Sequence, residues 1–186
     1  MAALRWAQDG LRYADGGTAR VRLLCGVAQS AANLGDSSEA RRALADAESA
    51  RDLVHDADRV GGLFTFSEAK QAYYSGSALI WLDERQDAEE ALAEAERAIR
   101  LWETSGPEDR SLDDEALAHV YAATANLQLR ELEAAASALE PILGLPEDRR
   151  ISWIRKRLDR VAGILSQAPF ATEPLAVETR ERIAEY

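Results

Sequence analysis

Cationic side chains and a tryptophan lie close together near residue 155 of this sequence. The basic cluster consists of Arg149, Arg150, Arg155, Lys156, Arg157 and Arg160. On a helix, Trp153, Arg157 and Arg160 fall on one stripe. A tryptophan beside guanidinium groups could bind an anionic ligand, a peptide C-terminus or DNA phosphate near an attached reader domain. The alternative is that these cations pair with the acidic segment 86–97.

The two histidines and the one cysteine are the other residues with metal or nucleophile chemistry. His55 and His119 have no second histidine or cysteine at ligand spacing, so we predict no metal site. Cys25 lies in the apolar run LLCGVA, which predicts a buried thiol rather than a nucleophile. We expect no cofactor.

Enzyme motifs are absent from the sequence. It contains no G-x-G-x-x-G, P-loop, H-E-x-x-H or G-x-S-x-G pattern. We therefore predict no catalytic residues and a non-enzymatic protein. An enzyme built on a repeat scaffold stays an alternative, with Lys70, Tyr73, Tyr74 and His119 gathered in one enclosed pocket.

Composition and charge restrict the class of partner. The 186 residues are 47% hydrophobic and 30% charged, with a formal net charge of -11. Because phosphate binding needs clustered positive charge, we expect no direct nucleic-acid binding by the chain. No apolar run approaches the ~20 residues that span a bilayer, which predicts no membrane association. One cysteine and no signal-peptide pattern predict a cytoplasmic location.

A repeat indicates the elements that must position these residues. The segments LGDSSEARRALADA, LDERQDAEEALAEA and LRELEAAASALEPI begin at Leu34, Leu82 and Leu129, so they recur every 47–48 residues. Preceding each leucine at a fixed distance is a small residue: Ala28, Gly76 or Ala123. A small residue there lets the first helix of a hairpin approach the second closely. Self-similarity at this spacing is typical of stacked helical units.

The predicted fold is all-α, a right-handed superhelical solenoid of antiparallel helix pairs with about nine helices. It forms one domain, 1–186, whose first helix is an open end. Capping boxes are predicted at Asp36–Glu39, Thr65–Glu68 and Ser111–Asp114. The predicted helices are 2–14, 18–34, 37–57, 66–82, 86–104, 112–129, 131–143, 149–167 and 173–185.

The small-residue positions and the turn Leu34-Gly35-Asp36 resemble tetratricopeptide repeats. The spacing is longer than that family's, and the first helices mostly lack its aromatic residues. HEAT-type helix pairs are the structural alternative.

A more specific resemblance covers nearly the whole chain. Segments TARVRLLCGVAQSAANLGD, GGLFTFSEAKQAYYSGSALIWL, DDEALAHVYAATANLQL and RRISWIRKRLDRVAGIL are similar to the C-terminal repeat region of actinobacterial transcriptional regulators. In those proteins an N-terminal phage-repressor-type helix-turn-helix binds DNA, and the repeats are the regulatory half. This sequence has no helix-turn-helix pattern, so we expect either a C-terminal part of a longer regulator or a stand-alone relative.

The tetratricopeptide resemblance implies that the first helices line a concave groove that binds a peptide or protein partner. The groove residues we predict are Arg22, Gln29, Asn33, Lys70, Tyr73, Ser77, Trp81, Thr124 and Gln128, with Trp153, Arg157 and Arg160 as a possible anion site. The favoured function is the sensing or protein-interaction half of a transcriptional regulator. An oligomerising scaffold, with a homodimer through the N-terminal helix, is the alternative.

Overall fold

Short polar side chains cap two of the described helices. The structure is a computed structural model that describes residues 2–55, 66–150 and 152–186. The carboxylate of Asp36 accepts a 3.0 Å hydrogen bond from the Glu39 backbone N–H, but the Asp36 N–H donates to the Ala31 carbonyl, so only half of the predicted capping box forms. Ser67 Oγ accepts a 3.2 Å hydrogen bond from the Lys70 backbone N–H, so Ser67 caps the next helix. The predicted cap Thr65 lies outside the described residues.

Nine α-helices and one short 3₁₀ turn make up the regular structure of the described residues. We number them α1 (Ala2–Leu11), α2 (Gly17–Asn33), α3 (Ser37–Asp52), α4 (Glu68–Leu79), α5 (Arg85–Glu103), α6 (Leu112–Leu129), α7 (Leu132–Leu143), α8 (Ser152–Leu165) and α9 (Pro174–Glu185), with the 3₁₀ turn at Glu147–Arg149. Because no described residue is in a strand, the predicted all-α class is confirmed.

Several of the predicted helices are longer than the observed ones. The first helix stops at Leu11 rather than at 14, and the helix predicted over 37–57 stops at Asp52, with 56 and 57 outside the described residues. The helix predicted over 66–82 begins at Glu68, because Ser67 caps it, and it ends at Leu79. The helix predicted over 149–167 is also shorter. Its first predicted residue is the last one of the 3₁₀ turn Glu147–Arg149, and α8 covers Ser152–Leu165.

Consecutive helices pack as hairpins, and the hairpins pack side by side. The pairs α2/α3, α4/α5, α6/α7 and α8/α9 contact each other, and α1 packs on α2. The first helices α2, α4, α6 and α8 also contact one another in order. The four first helices therefore lie side by side in chain order, and we call them the row of first helices.

The predicted small positions lie inside the hairpins. Ala28 and Ala123 are fully buried, and Gly76 is buried between α4 and α5. A Cβ atom on Gly76 would lie 3.2 Å from the Ala91 carbonyl oxygen and 3.3 Å from the Ala95 nitrogen. The two helix backbones are therefore in close contact at this point, which explains a glycine in the middle of a helix despite its low helix propensity.

An ion pair joins the second helices of the first two hairpins, α3 and α5. Asp87 near the start of α5 is 2% exposed, and its carboxylate accepts hydrogen bonds from the Arg41 guanidinium of α3 and from the Glu84 backbone N–H. The same Arg41 also donates to Glu90 at 3.1 Å. Because both carboxylate oxygens of Asp87 accept hydrogen bonds, a buried carboxylate is tolerated here.

Candidate functional site

A cleft of about 580 Å³ lies between α2, the end of α4, α6 and α8. This volume is within the range of small-ligand sites, which is roughly 300–1,000 Å³. The residues that line it are Gln29, Asn33, Ile80, Trp81, Val120, Tyr121, Thr124, Lys156, Arg157 and Arg160. It brings together residues from two separate predictions, the concave groove and the anion site.

One wall of the cleft is an ordered polar row. Gln29 Nε2 of α2 donates a 2.7 Å hydrogen bond to Ser77 Oγ of α4, and Ser77 Oγ donates to the Tyr74 carbonyl at 2.8 Å. Asn33 Nδ2 donates to the Gln29 carbonyl at 2.7 Å. Ser77 is buried behind Gln29, so it positions Gln29 rather than facing the cleft. The amide groups of this wall are thereby fixed before any ligand binds.

Trp81 and Arg160 form the junction between α4 and α8. Trp81 is 42% exposed, and the guanidinium carbon of Arg160 lies 3.5 Å from the centroid of its ring. Arg160 Nη2 also donates a 3.1 Å hydrogen bond to the Ile80 carbonyl, which accepts a second one from Gln128 Nε2 at 2.9 Å. Three helices therefore meet at one carbonyl, and Gln128 contributes to the cleft through this bond.

The sequence of α8 explains why its cations face the cleft. Ile154, Leu158 and Val161 recur at helical spacing and are buried in the core. That apolar stripe places Lys156, Arg157 and Arg160 on the flank that borders the cleft. Burial lowers the pKa of Arg160 from its usual value, because a half-buried guanidinium is poorly hydrated.

Among the residues that the structure describes, no cation of the basic cluster pairs with the acidic segment 86–97. Arg155 pairs instead with Asp159 of its own helix at 3.1 Å, and Arg157 donates to the Trp153 carbonyl at 3.1 Å. In α5, Asp87 binds Arg41 of α3 and Glu89 binds Arg85. Trp153 itself lies beside the cleft and is not one of its lining residues.

The remaining predicted groove residues lie outside this cleft. Lys70 Nζ of α4 is 3.9 Å from a carboxylate oxygen of Asp114, whereas Arg22 is exposed on α2. Tyr73 is buried in the core, where its ring stacks on Tyr121 at a centroid distance of 5.5 Å and touches Trp102. Tyr73 was expected in the groove, but this aromatic contact turns its ring inward.

The four residues of the enzyme alternative do not meet in this cleft. His119 of α6 is half-buried, and burial lowers its pKa while nearby Glu115 opposes the shift. Burial also raises the pKa of Tyr73 far above its usual range, so this hydroxyl stays protonated. Across the described part of the chain, no three His, Cys, Asp or Glu side chains are grouped so that they could hold a metal ion.

A second cleft, of about 320 Å³, has the opposite electrostatic character. It lies between α3, α4 and α5 and includes Glu48, Glu90 and Glu94 among its lining residues. Burial, with the neighbouring Glu48 and Glu90 carboxylates, raises the pKa of Glu94, although Arg97 opposes this. The first cleft is thus lined by cations and no carboxylates among its described residues, whereas the second is lined by three glutamates and one arginine.

Tyr121 and Lys156 line the cleft, although the sequence pattern assigned neither of them to the groove or to the anion site. Tyr121 lies 47 residues after Tyr74, which is not one of the predicted groove residues, so the repeat register did not indicate it. Lys156 was recognised only as a member of the basic cluster, because no pattern shows which cations of α8 face the cleft. The contact of α8 with α6 decides this.

Comparison of the chain with protein-family profiles, curated proteins and solved structures gives no match. None of the helices in the described ranges is both long enough and apolar enough to cross a membrane. What the protein does must therefore be inferred from the chemistry of the cleft.

Proposed function

We propose that this chain is a non-enzymatic binding module, and that a peptide, or a peptide segment of a protein partner, docks in the cleft between α4 and α8. The observation that carries the proposal is the composition of the cleft. It combines the exposed ring of Trp81 with the fixed amides of Gln29 and Asn33 and with the cations of α8. A flat aromatic anchor, amide groups and charges suit an extended peptide, which offers backbone amides and side chains together.

We further propose that the module is the sensing or protein-interaction half of a cytoplasmic transcriptional regulator, folded as a tetratricopeptide-like right-handed solenoid. The support is the resemblance of its segments to actinobacterial regulators and the order of its hairpins. The single cysteine supports a reducing compartment. DNA would be bound by another domain or chain, and the peptide would act by shifting the geometry of the helix row. An in-frame helix-turn-helix upstream of Met1 in the gene would support this assignment.

The experiment is selection from a phage-displayed library of random peptides on the immobilised chain. Enriched peptides are then synthesised, and their dissociation constants are measured by calorimetry on the parent and on Trp81→Ala. We expect enriched peptides to lose at least tenfold in affinity in Trp81→Ala, because the aromatic anchor of the cleft is gone. Trp6→Ala is the matched control, since Trp6 is 75% exposed on α1 and does not line the cleft.

Two results would contradict the proposal. One is a selection that enriches no binding peptide. The other is a set of peptides whose affinity is equal for the parent, Trp81→Ala and Trp6→Ala. Circular dichroism of Trp81→Ala shows whether its helix content is retained, so that a loss of binding is not confused with unfolding.

A second candidate function, an oligomerising scaffold, is favoured by one observation. Trp6 of α1 and Tyr13 just after it are 75% and 87% exposed, and α1 has no buried residue of its own. The helix contacts α2 through Gly10, where a Cβ would lie 3.0 Å from Leu23. We propose a second copy of the chain as the occupant of the outer face of α1, because Arg5 and Asp9 supply both signs of charge there for an isologous contact.

A further inference from the structure

The charges around the cleft differ from those of the chain as a whole. The sequence has 33 acidic residues against 22 lysines and arginines, yet none of the described lining residues is an aspartate or a glutamate. Lys156, Arg157 and Arg160 all line it. A positive cleft within a negative chain focuses the field at one place, so that anions are attracted there and repelled elsewhere.

The three cations of the cleft have no carboxylate partner among the described residues. Arg155 belongs to the same basic cluster but lies outside the cleft, and it does have a carboxylate partner, Asp159. Arg160 is occupied by the Trp81 ring and by the Ile80 carbonyl. Arg157 donates one N–H to the Trp153 carbonyl, which leaves most of its five donors available. Lys156 is exposed, so its three donors are accessible.

We infer that the ligand of this cleft is an acidic peptide, one of whose carboxylates is held by Lys156 and Arg157 while an adjacent apolar side chain packs on Trp81. This inference rests on the proposed function, since it names the class of peptide that the same cleft selects. The carboxylate supplies the negative charge that the cleft cations lack within the protein. Arg160 acts as a positioning residue, because it holds the Trp81 ring beside the two free cations.

A carboxylate suits these groups better than a polyphosphate chain does. Guanidinium groups bind carboxylates in a planar, two-point geometry, and one peptide carboxylate needs only one or two cations. A nucleic-acid strand needs a cationic path along its backbone, whereas the chain outside this cleft is strongly acidic. The carboxylate can come from an Asp or Glu side chain or from a free peptide C-terminus.

The test uses three fluorescein-labelled pools of random nonapeptides and a fourth pool of labelled oligonucleotides, and it measures fluorescence anisotropy on the full chain. The first pool is Asp/Glu-rich with an amidated C-terminus, and the second is neutral with a free C-terminus. The third is neutral and amidated, and the fourth is a thymidine oligonucleotide series of similar length. We expect the first or the second pool to bind at least tenfold more tightly than the third. A preference for the first indicates side-chain carboxylates, and a preference for the second indicates the C-terminus.

Variants connect the preference to the two cations. Lys156→Gln combined with Arg157→Gln should remove the preference for the carboxylate pool and make binding nearly independent of salt. Arg155→Gln is the matched control, because it removes a charge from the same helix outside the cleft. Its affinity should remain within twofold of the parent, and both variants should melt at the parent temperature.

The outcomes separate this inference from the proposed function. Equal binding of the acidic, free-terminus and neutral amidated pools overturns the carboxylate assignment and leaves a peptide-binding cleft. Failure of every peptide pool overturns both. Tighter binding of the oligonucleotides than of any peptide pool overturns the inference in favour of a nucleic-acid ligand.

Discussion

Arg160 and Trp81 lie 79 residues apart in the chain, and the guanidinium carbon of Arg160 is 3.5 Å from the centroid of the Trp81 ring. The same arginine donates a hydrogen bond to the carbonyl of Ile80. These contacts join α8 to the end of α4, so one side chain connects the two walls of the cleft. The position and rigidity of the Trp81 ring therefore depend on Arg160.

The first prediction concerns the energy of this contact. A double-mutant cycle with Arg160→Met and Trp81→Leu should give a coupling of about 0.5–2 kcal/mol in the free energy of unfolding, the range expected for a partly desolvated cation–π pair. The measurement is urea unfolding followed by circular dichroism for the parent, both single variants and the double variant. Additive effects within about 0.3 kcal/mol would mean that the pair contributes no stability in solution.

The second prediction concerns the close contact of α4 with α5 at Gly76. Alanine at a helical glycine normally stabilises by roughly 0.5–1 kcal/mol. At Gly76 the new Cβ would press on backbone atoms of Ala91 and Ala95, which cannot rotate away, and such overpacking costs about 1–3 kcal/mol. Gly76→Ala should therefore lower the free energy of unfolding or leave it unchanged.

Gly163→Ala in α8 is the matched control for Gly76→Ala. Nothing lies within 4 Å of a Cβ at Gly163, so that variant should gain the full propensity term of roughly 0.5–1 kcal/mol. Thermal or urea unfolding of the two variants measures the difference. Equal stabilisation of both would show that α4 and α5 are not in close contact at Gly76.

The repeat pattern predicted the fold because it reports on backbone packing. Ala28, Gly76 and Ala123 are all buried, and at Gly76 the backbones of two helices are in close contact. Their register also placed Gln29 and Ser77 in equivalent positions, and these side chains are hydrogen-bonded to each other. Helix ends were less predictable, because local caps such as Ser67 decide them.

The site could be predicted only in part. Gln29, Trp81 and Thr124 follow from the register and do line the cleft. Tyr73 has the same helical position as groove residues, but its ring gains more by stacking on Tyr121 in the core. That α8 closes the cleft depends on its packing against α6, a long-range contact that no local spacing encodes.

The third prediction concerns the thiol of Cys25. Burial raises the pKa of Cys25 from 9.0 to about 12, with a smaller opposing effect of Arg51. The folded state therefore favours the protonated thiol, and the resulting stability is fully present below pH 9. Between pH 9 and about 12 the thiol ionises only in the unfolded chain, so this contribution is lost as the pH rises, at up to about 1.4 kcal/mol per pH unit.

The measurement is the difference in unfolding free energy between the parent and Cys25→Ala from pH 7 to pH 10.5. Up to about pH 8.5 this difference should be constant. Above that pH the parent should lose stability relative to Cys25→Ala. The two proteins share every other titrating group, so the change reports on the thiol alone. A thiol reagent at pH 8 should label the parent only in denaturant. Fast labelling of the folded chain, or a pH-independent difference, would contradict a buried thiol.

The last prediction concerns the outer face of α1. If two copies pair through this face, the parent should have twice its 20.4 kDa chain mass by light scattering at concentrations above the dissociation constant. Trp6→Glu should restore the monomer, because a carboxylate in the middle of an apolar contact is left without a partner. Its melting temperature at high dilution should match the parent, since Trp6 is 75% exposed within one chain.

Leu112→Glu is the matched control, because Leu112 is similarly exposed but lies at the start of α6. This variant should leave the dimer intact. A parent that stays monomeric at millimolar concentration would remove the scaffold function. The peptide binding that we propose would be unaffected, because none of the described lining residues of the cleft is on α1.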